Sequence, residues 1–105
     1  MEKTYLHTGL PVQEKMDGMV YMEGLKVWIA NNADYGIEYL YWEKDTPAPY
    51  RMVVEPHVAY KVADVDAAVK ESGGAVLLPK TVLGGTTAIA FVSIPNGPVV
   101  EFYQD

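Results

Sequence analysis

The chain contains no cysteine. That excludes disulfides, thiolate metal sites, zinc-finger ligand sets and a cysteine nucleophile, and it fits a reducing compartment. Basic side chains are also scarce, 8 against 14 acidic ones, for a formal net charge of -6. They are scattered, whereas phosphate backbones are bound by clustered Lys and Arg, so no nucleic-acid partner is expected. Long apolar runs are missing, and none approaches the roughly 20 residues of a membrane span. The opening Met1-Glu2-Lys3-Thr4-Tyr5 has no signal-like apolar stretch. No membrane partner is expected, and the expected setting is cytoplasmic. Histidine is rare too, with two in 105 residues, so where the two sit carries information.

What remains is an ordinary globular balance, 50% hydrophobic and 21% charged. A chain of this length makes one domain, residues 1–105, and buries enough surface to need no covalent staple. Thr4 to Leu10 reads as a strand that Pro11 stops. Val12 to Gly18 is short and polar, with room for a turn or two of helix at most. Met19–Met22, Leu25–Ala30 and Gly36–Trp42 read as strands, the last two separated by the turn chemistry of Asn31-Asn32-Ala33-Asp34. Lys44 to Arg51, with Pro47 and Pro49, reads as a stiff, extended connector with little regular structure.

The second half is clearer. His57–Val62 alternates as a strand. Asp64 is a candidate N-cap for a helix from about Val65 to Glu71, whose Val65, Ala68 and Val69 form one apolar face, and Ser72-Gly73-Gly74 ends it. Strands follow at Ala75–Pro79, Thr86–Ile94 and Val99–Tyr103, separated by Gly84-Gly85 and Pro95-Asn96-Gly97.

The two halves share a skeleton. Each opens on a strand holding one histidine, His7 and His57, and closes on an apolar strand holding one glutamate, Glu38 and Glu101. The second interval is longer than the first by about the length of one helix. A glutamate flanked by Ile37 and Tyr39, or by Val100 and Phe102, costs several kcal/mol to bury unpaired, so it must face water or a cation. Strand alternation puts Val99, Glu101 and Tyr103 on one face, and likewise His57, Ala59 and Lys61. Val58, Tyr60 and Val62 take the opposite face, toward the helix. A twisted sheet that offers one His and one Glu per half can supply four N/O ligands.

This pattern resembles the vicinal-oxygen-chelate superfamily, which includes glyoxalase I, bleomycin-resistance proteins, methylmalonyl-CoA epimerase and extradiol dioxygenases. The resemblance is carried by Pro56-His57-Val58-Ala59-Tyr60-Lys61-Val62 and its following helix, by Ala90-Phe91-Val92-Ser93-Ile94-Pro95-Asn96-Gly97-Pro98-Val99-Val100-Glu101-Phe102, and by His7-Thr8-Gly9-Leu10-Pro11-Val12. It implies an α+β fold of two βαβββ modules, about 1–46 and about 54–105, forming a curved mixed sheet cup. The first module would lack most of its helix.

The resemblance also implies metal ligands at His7, Glu38, His57 and Glu101, holding a divalent ion (Ni, Zn, Co, Mn or Fe). Glu101, and second Glu38, would move a proton. Trp28, Tyr41, Lys61 and Tyr103 are candidates for substrate contact. The implied activity is isomerase or lyase chemistry on a small oxygen-rich substrate. The alternatives are a metal-free small-molecule binder of the bleomycin-resistance type and an iron-dependent dioxygenase. A homodimer is expected, since an uncovered sheet face and free strand edges are most often covered by a second copy.

Overall fold

The computed structural model describes residues 1–105. Eight strands form one mixed sheet: β1 (Thr4–Pro11), β2 (Val20–Met22), β3 (Val27–Asn32), β4 (Ile37–Trp42), β5 (His57–Lys61), β6 (Ala75–Gly84), β7 (Thr87–Ser93) and β8 (Val99–Gln104). The only α-helices are α1 (Tyr50–Val54) and α2 (Val65–Ser72). This is a small α+β fold with a curled sheet. No helix is long and apolar enough to cross a membrane.

The spatial order is β2-β3-β4-β1-β5-β8-β7-β6. It reads the same from either end once β1 is matched with β5 and β4 with β8. In each half the first strand lies parallel to the last, β1 on β4 and β5 on β8, and the halves meet along the antiparallel pair β1–β5. The repeated His-to-Glu skeleton is therefore a repeated strand topology. Between β1 and β2 there is no helix, whereas α2 fills the corresponding connection of the second half.

Helix α2 starts and stops as its sequence directs. The Asp64 carboxylate accepts from the Ala67 amide at 3.2 Å, and Gly73 ends the helix in the left-handed conformation at φ 68°. Its Val65 and Ala68 pack with Val62, Ala88, Ala90, Val92, Val100 and Phe102, all buried. Ala88 and Ala90 are small enough to let the helix approach the sheet closely. Full burial of side chains such as Phe102 and Val65 is worth about 1.5–3 kcal/mol each. A second cluster of Val27, Leu40, Met52, Ile89, Phe91 and Val99 fills the other face of the sheet. Strand β7 is thus buried on both faces.

Three local expectations change. Asn31 and Asn32 belong to β3 and not to the turn, opposite Glu38 and Ile37 of β4. The connector is not extended throughout, because Tyr50–Val54 closes into α1 after Pro49. Met52 is fully buried there, and Arg51 makes a bidentate pair with Glu55 while also reaching Ser93 on β7. Strand β6 does not stop at Pro79 but runs to Gly84. It is an edge strand, where a missing N–H costs no ladder bond, and its register with β7 shifts between Leu78 and Thr81.

Candidate metal centre

Strand register decides which side chains meet. Gly9 of β1 sits between Glu38 of β4 and His57 of β5. Ala59 of β5 sits between His7 of β1 and Glu101 of β8. Two adjacent rows thus cross the seam, each with a His, a small residue and a Glu. The small residue is the second after each histidine: His7-Thr8-Gly9 and His57-Val58-Ala59. Gly9 and Ala59 were not singled out in the sequence, and this repeated spacing is the signal that marks them.

Gly9 is required to be glycine by its neighbour and not by its backbone. A Cβ there would stand 2.0 Å from His57 Cε1 and 2.5 Å from both ring nitrogens. The His57 imidazole lies across the space that a side chain at position 9 would take. Phe91 meets the same ring edge-on at 5.0 Å between centroids, and His7 at 5.6 Å.

The four side chains converge. One ligand atom from each of His7, Glu38, His57 and Glu101 lies within 4.8 Å of the others. His57 Nε2 is 3.0 Å from Glu101 Oε1, and His7 Nε2 is 3.4 Å from Glu101 Oε1 and 3.5 Å from Glu38 Oε1. None of these approaches is aligned as a hydrogen bond. The buried atoms His7 Nε2, His57 Nδ1 and His57 Nε2 have no hydrogen-bond partner at all. Buried polar nitrogens are almost always satisfied, so the two Nε2 atoms that face the carboxylates call for an explanation. Nitrogens and carboxylate oxygens that point at a common centre without bonding each other suit a cation between them. The donor set fits a divalent ion of the N/O-preferring kind.

The charges are mutually adjusted. Burial would raise the Glu101 carboxyl, but the imidazoles of His57 and His7 hold it below the usual carboxylate range. Burial alone would lower His7, and the carboxylates of Glu101 and Glu38 beside it raise it instead. Glu38 is raised, chiefly by burial, with His7 acting against. The two glutamates therefore differ: Glu101 is held as the anion and Glu38 has the greater affinity for a proton.

The cluster opens into a cavity of about 400 Å³, within the usual range for small-molecule sites. Lys61 and Tyr103 line it, as their place beside His57 and Glu101 in the strand alternation leads one to expect. Lys61 is paired with Asp105 at 2.5 Å. The structure does not bring Trp28 and Tyr41 there. They pair with each other across β3 and β4 and point to the reverse face of the sheet, because Val27 and Ile29 take the inner face of β3 and Glu38 and Leu40 that of β4. Tyr41 lines a different groove on that reverse face, with Leu10, Tyr39 and Val53.

No family model matches the chain, and no curated protein matches it in sequence. Solved structures do match its fold. One is the crystal structure of a hypothetical protein from Bacillus halodurans C-125, with a TM-score of 0.70 and 21% identity, covering 100% of this chain and 96% of that one. Another is methylmalonyl-CoA epimerase from Mycobacterium tuberculosis, with a TM-score of 0.60 and 15% identity, covering 96% of this chain and 87% of that one. At these identities the likeness is one of fold. It extends over the whole eight-stranded cup.

Proposed function

We propose that this chain is a member of the vicinal-oxygen-chelate superfamily, and a divalent-metal-dependent enzyme that moves a proton on a small, oxygen-rich substrate. The observation that carries the reading is the convergence of His7 Nε2 and His57 Nε2, both buried and without a hydrogen-bond partner, on the carboxylates of Glu38 and Glu101. The fold likeness to an epimerase is in keeping with it.

His7, Glu38, His57 and Glu101 would hold the ion, with Ni, Zn, Co, Mn and Fe all compatible with such a shell. When bound, a divalent ion polarises substrate oxygens and stabilises negative charge that develops on them. The residues supply the rest. His57, almost fully enclosed against Gly9 and Phe91, is fixed in orientation. Glu101, buried between both imidazoles, stays ionised and holds them in place.

Glu38 is our choice for the carboxylate that takes up and returns the proton. Both glutamates border the cavity, and the Glu38 side chain is the more open of the two, 17% exposed against 8% for Glu101. This reverses the order expected from the sequence, which put Glu101 first.

The test is purification without a chelating tag, followed by elemental analysis and melting of the EDTA-stripped protein with added Ni, Zn, Co, Mn or Fe(II). Stoichiometric metal and a higher melting temperature are expected. Neither appearing would remove the reading. Stoichiometric iron that supports oxygen consumption would move it to the dioxygenase alternative, and ligand binding without any metal to the binder. The homodimer stays part of the proposal, supported by the open groove on the reverse face of the first half, where Tyr39 and Tyr41 lie beside Leu10 and Val53. A monomer in analytical ultracentrifugation at micromolar concentration would count against it.

A further inference from the structure

We propose that the cup selects a small uncharged substrate with a short apolar tail and disfavours anionic ones such as phosphate esters and nucleotide-bearing thioesters. This rests on the metal-centre reading above and adds the substrate class. Beyond His7, Glu38 and Glu101, the lining is mainly apolar: Leu6, Met22, Ile29, Leu83 and Ile89. Leu6 and Leu83 are exposed. They are an apolar surface that a hydrocarbon tail would cover.

The charges at the mouth point the same way. Lys61 is the one Lys or Arg lining the cavity, and the Asp105 carboxylate already lies 2.5 Å from its ammonium. With Glu38, Glu101 and Asp105 against Lys61, a doubly charged cation brings the lining close to neutrality. That leaves no free positive charge for an anion on the substrate. Phosphate groups are held by Arg or Lys forks or by open helix N-termini. No helix N-terminus lines the cavity, since α2 packs on the opposite face of the sheet.

The probes are three hydroxamic acids, which chelate a metal through paired oxygens: acetohydroxamic acid, hexanohydroxamic acid, and the hexano compound ending in a carboxylate. Binding to the metal-loaded protein is measured by calorimetry after metal content has been fixed by elemental analysis. Affinity is expected to rise roughly fourfold per buried methylene from the acetyl to the hexanoyl compound. The terminal carboxylate should reduce it about tenfold or more, as expected for burying an unpaired charge. Leu83→Asp should pull hexanohydroxamate affinity toward the acetohydroxamate value. Asp105→Asn, which frees Lys61, should narrow the penalty on the carboxylate. Equal binding of the short and long probes, or a carboxylate-ended probe that binds as well as the apolar one, overturns the proposal while leaving the metal centre standing. Failure of the wild type to take up metal overturns both.

Discussion

Gly9→Ala is the most informative single change. The new Cβ would stand 2.0 Å from His57 Cε1, whereas ordinary contact begins at 3.4 Å, so the ring must retreat by roughly 1.4 Å. It has little space to do so, being 2% exposed and met by Phe91 on one side and His7 on another. Overpacking of this kind costs about 1–3 kcal/mol, which in a domain of this size lowers the melting temperature by roughly 5–20 °C. The larger consequence is functional. A binding constellation must be held within about 0.5 Å of its productive geometry, and here one ligand is displaced by more than that.

With metal at 100 times its dissociation constant, the wild type should gain about 2.7 kcal/mol of stability. A variant with about 100-fold weaker affinity gains only about 0.4 kcal/mol under the same conditions. Paired thermal melts with and without metal measure both effects. Ala59→Gly serves as the control, costing about 0.5–1 kcal/mol in strand propensity while keeping its metal response. A Gly9→Ala protein whose melting temperature rises with metal as much as the wild type's would refute the view that His57 is a ligand held in place by the absence of a side chain at position 9.

Other outcomes follow from the same geometry. Glu101→Gln should weaken metal binding on the order of 100-fold or more, beyond the 10–100-fold typical for losing a supporting partner, as read by competition with a chromophoric chelator. In the metal-free protein, His7 and Glu38 have raised pKa values, so the stability they contribute is present at low pH and lost as pH rises through their folded values. Glu101 is lowered, so its contribution is present above the usual carboxylate range and lost as pH falls. Denaturant titrations in EDTA should therefore show the wild type losing ground to His7→Gln as pH rises above the usual histidine value of 6.5, and a constant difference would contradict the assignment. Added metal should reverse the trend, because an ion competes with protons for the same nitrogen. Asp64→Ala should cost about 0.5–2 kcal/mol through the lost cap of α2 and leave metal affinity unchanged; a fall in affinity would mean that α2 positions the site.

The parts of the site that could be read in the sequence were those fixed by local periodicity. Alternation along β5 and β8 separated His57 and Glu101 from Val58, Val100 and Phe102, because a strand turned by one residue would bury a charge against α2. Asp64 and Gly73 marked the helix for equally local reasons. The same alternation, applied from Glu38, puts Tyr41 on the opposite face, so its place outside the cup follows from strand period and its aromatic character says nothing about which face it takes. Gly9 and Ala59 are different. Their importance depends on which residue of β1 lies opposite which residue of β5, and that register is a contact across some fifty residues of chain. Pro79 within β6 and the helix at Tyr50–Val54 escaped for a related reason: edge position and a buried slot for Met52 are properties of the assembled sheet.

The seam between β1 and β5 has a further consequence. It divides the ligand set two and two, with His7 and Glu38 on one side and His57 and Glu101 on the other. Neither half owns a complete site, and no loop supplies a ligand. A cation bound there would be a fastener between two half-sheets, joining segments that the chain itself links only through the stretch from Glu43 to Pro56. A molecule nicked in that stretch would still have a reason to reassemble, and the reason would depend on metal.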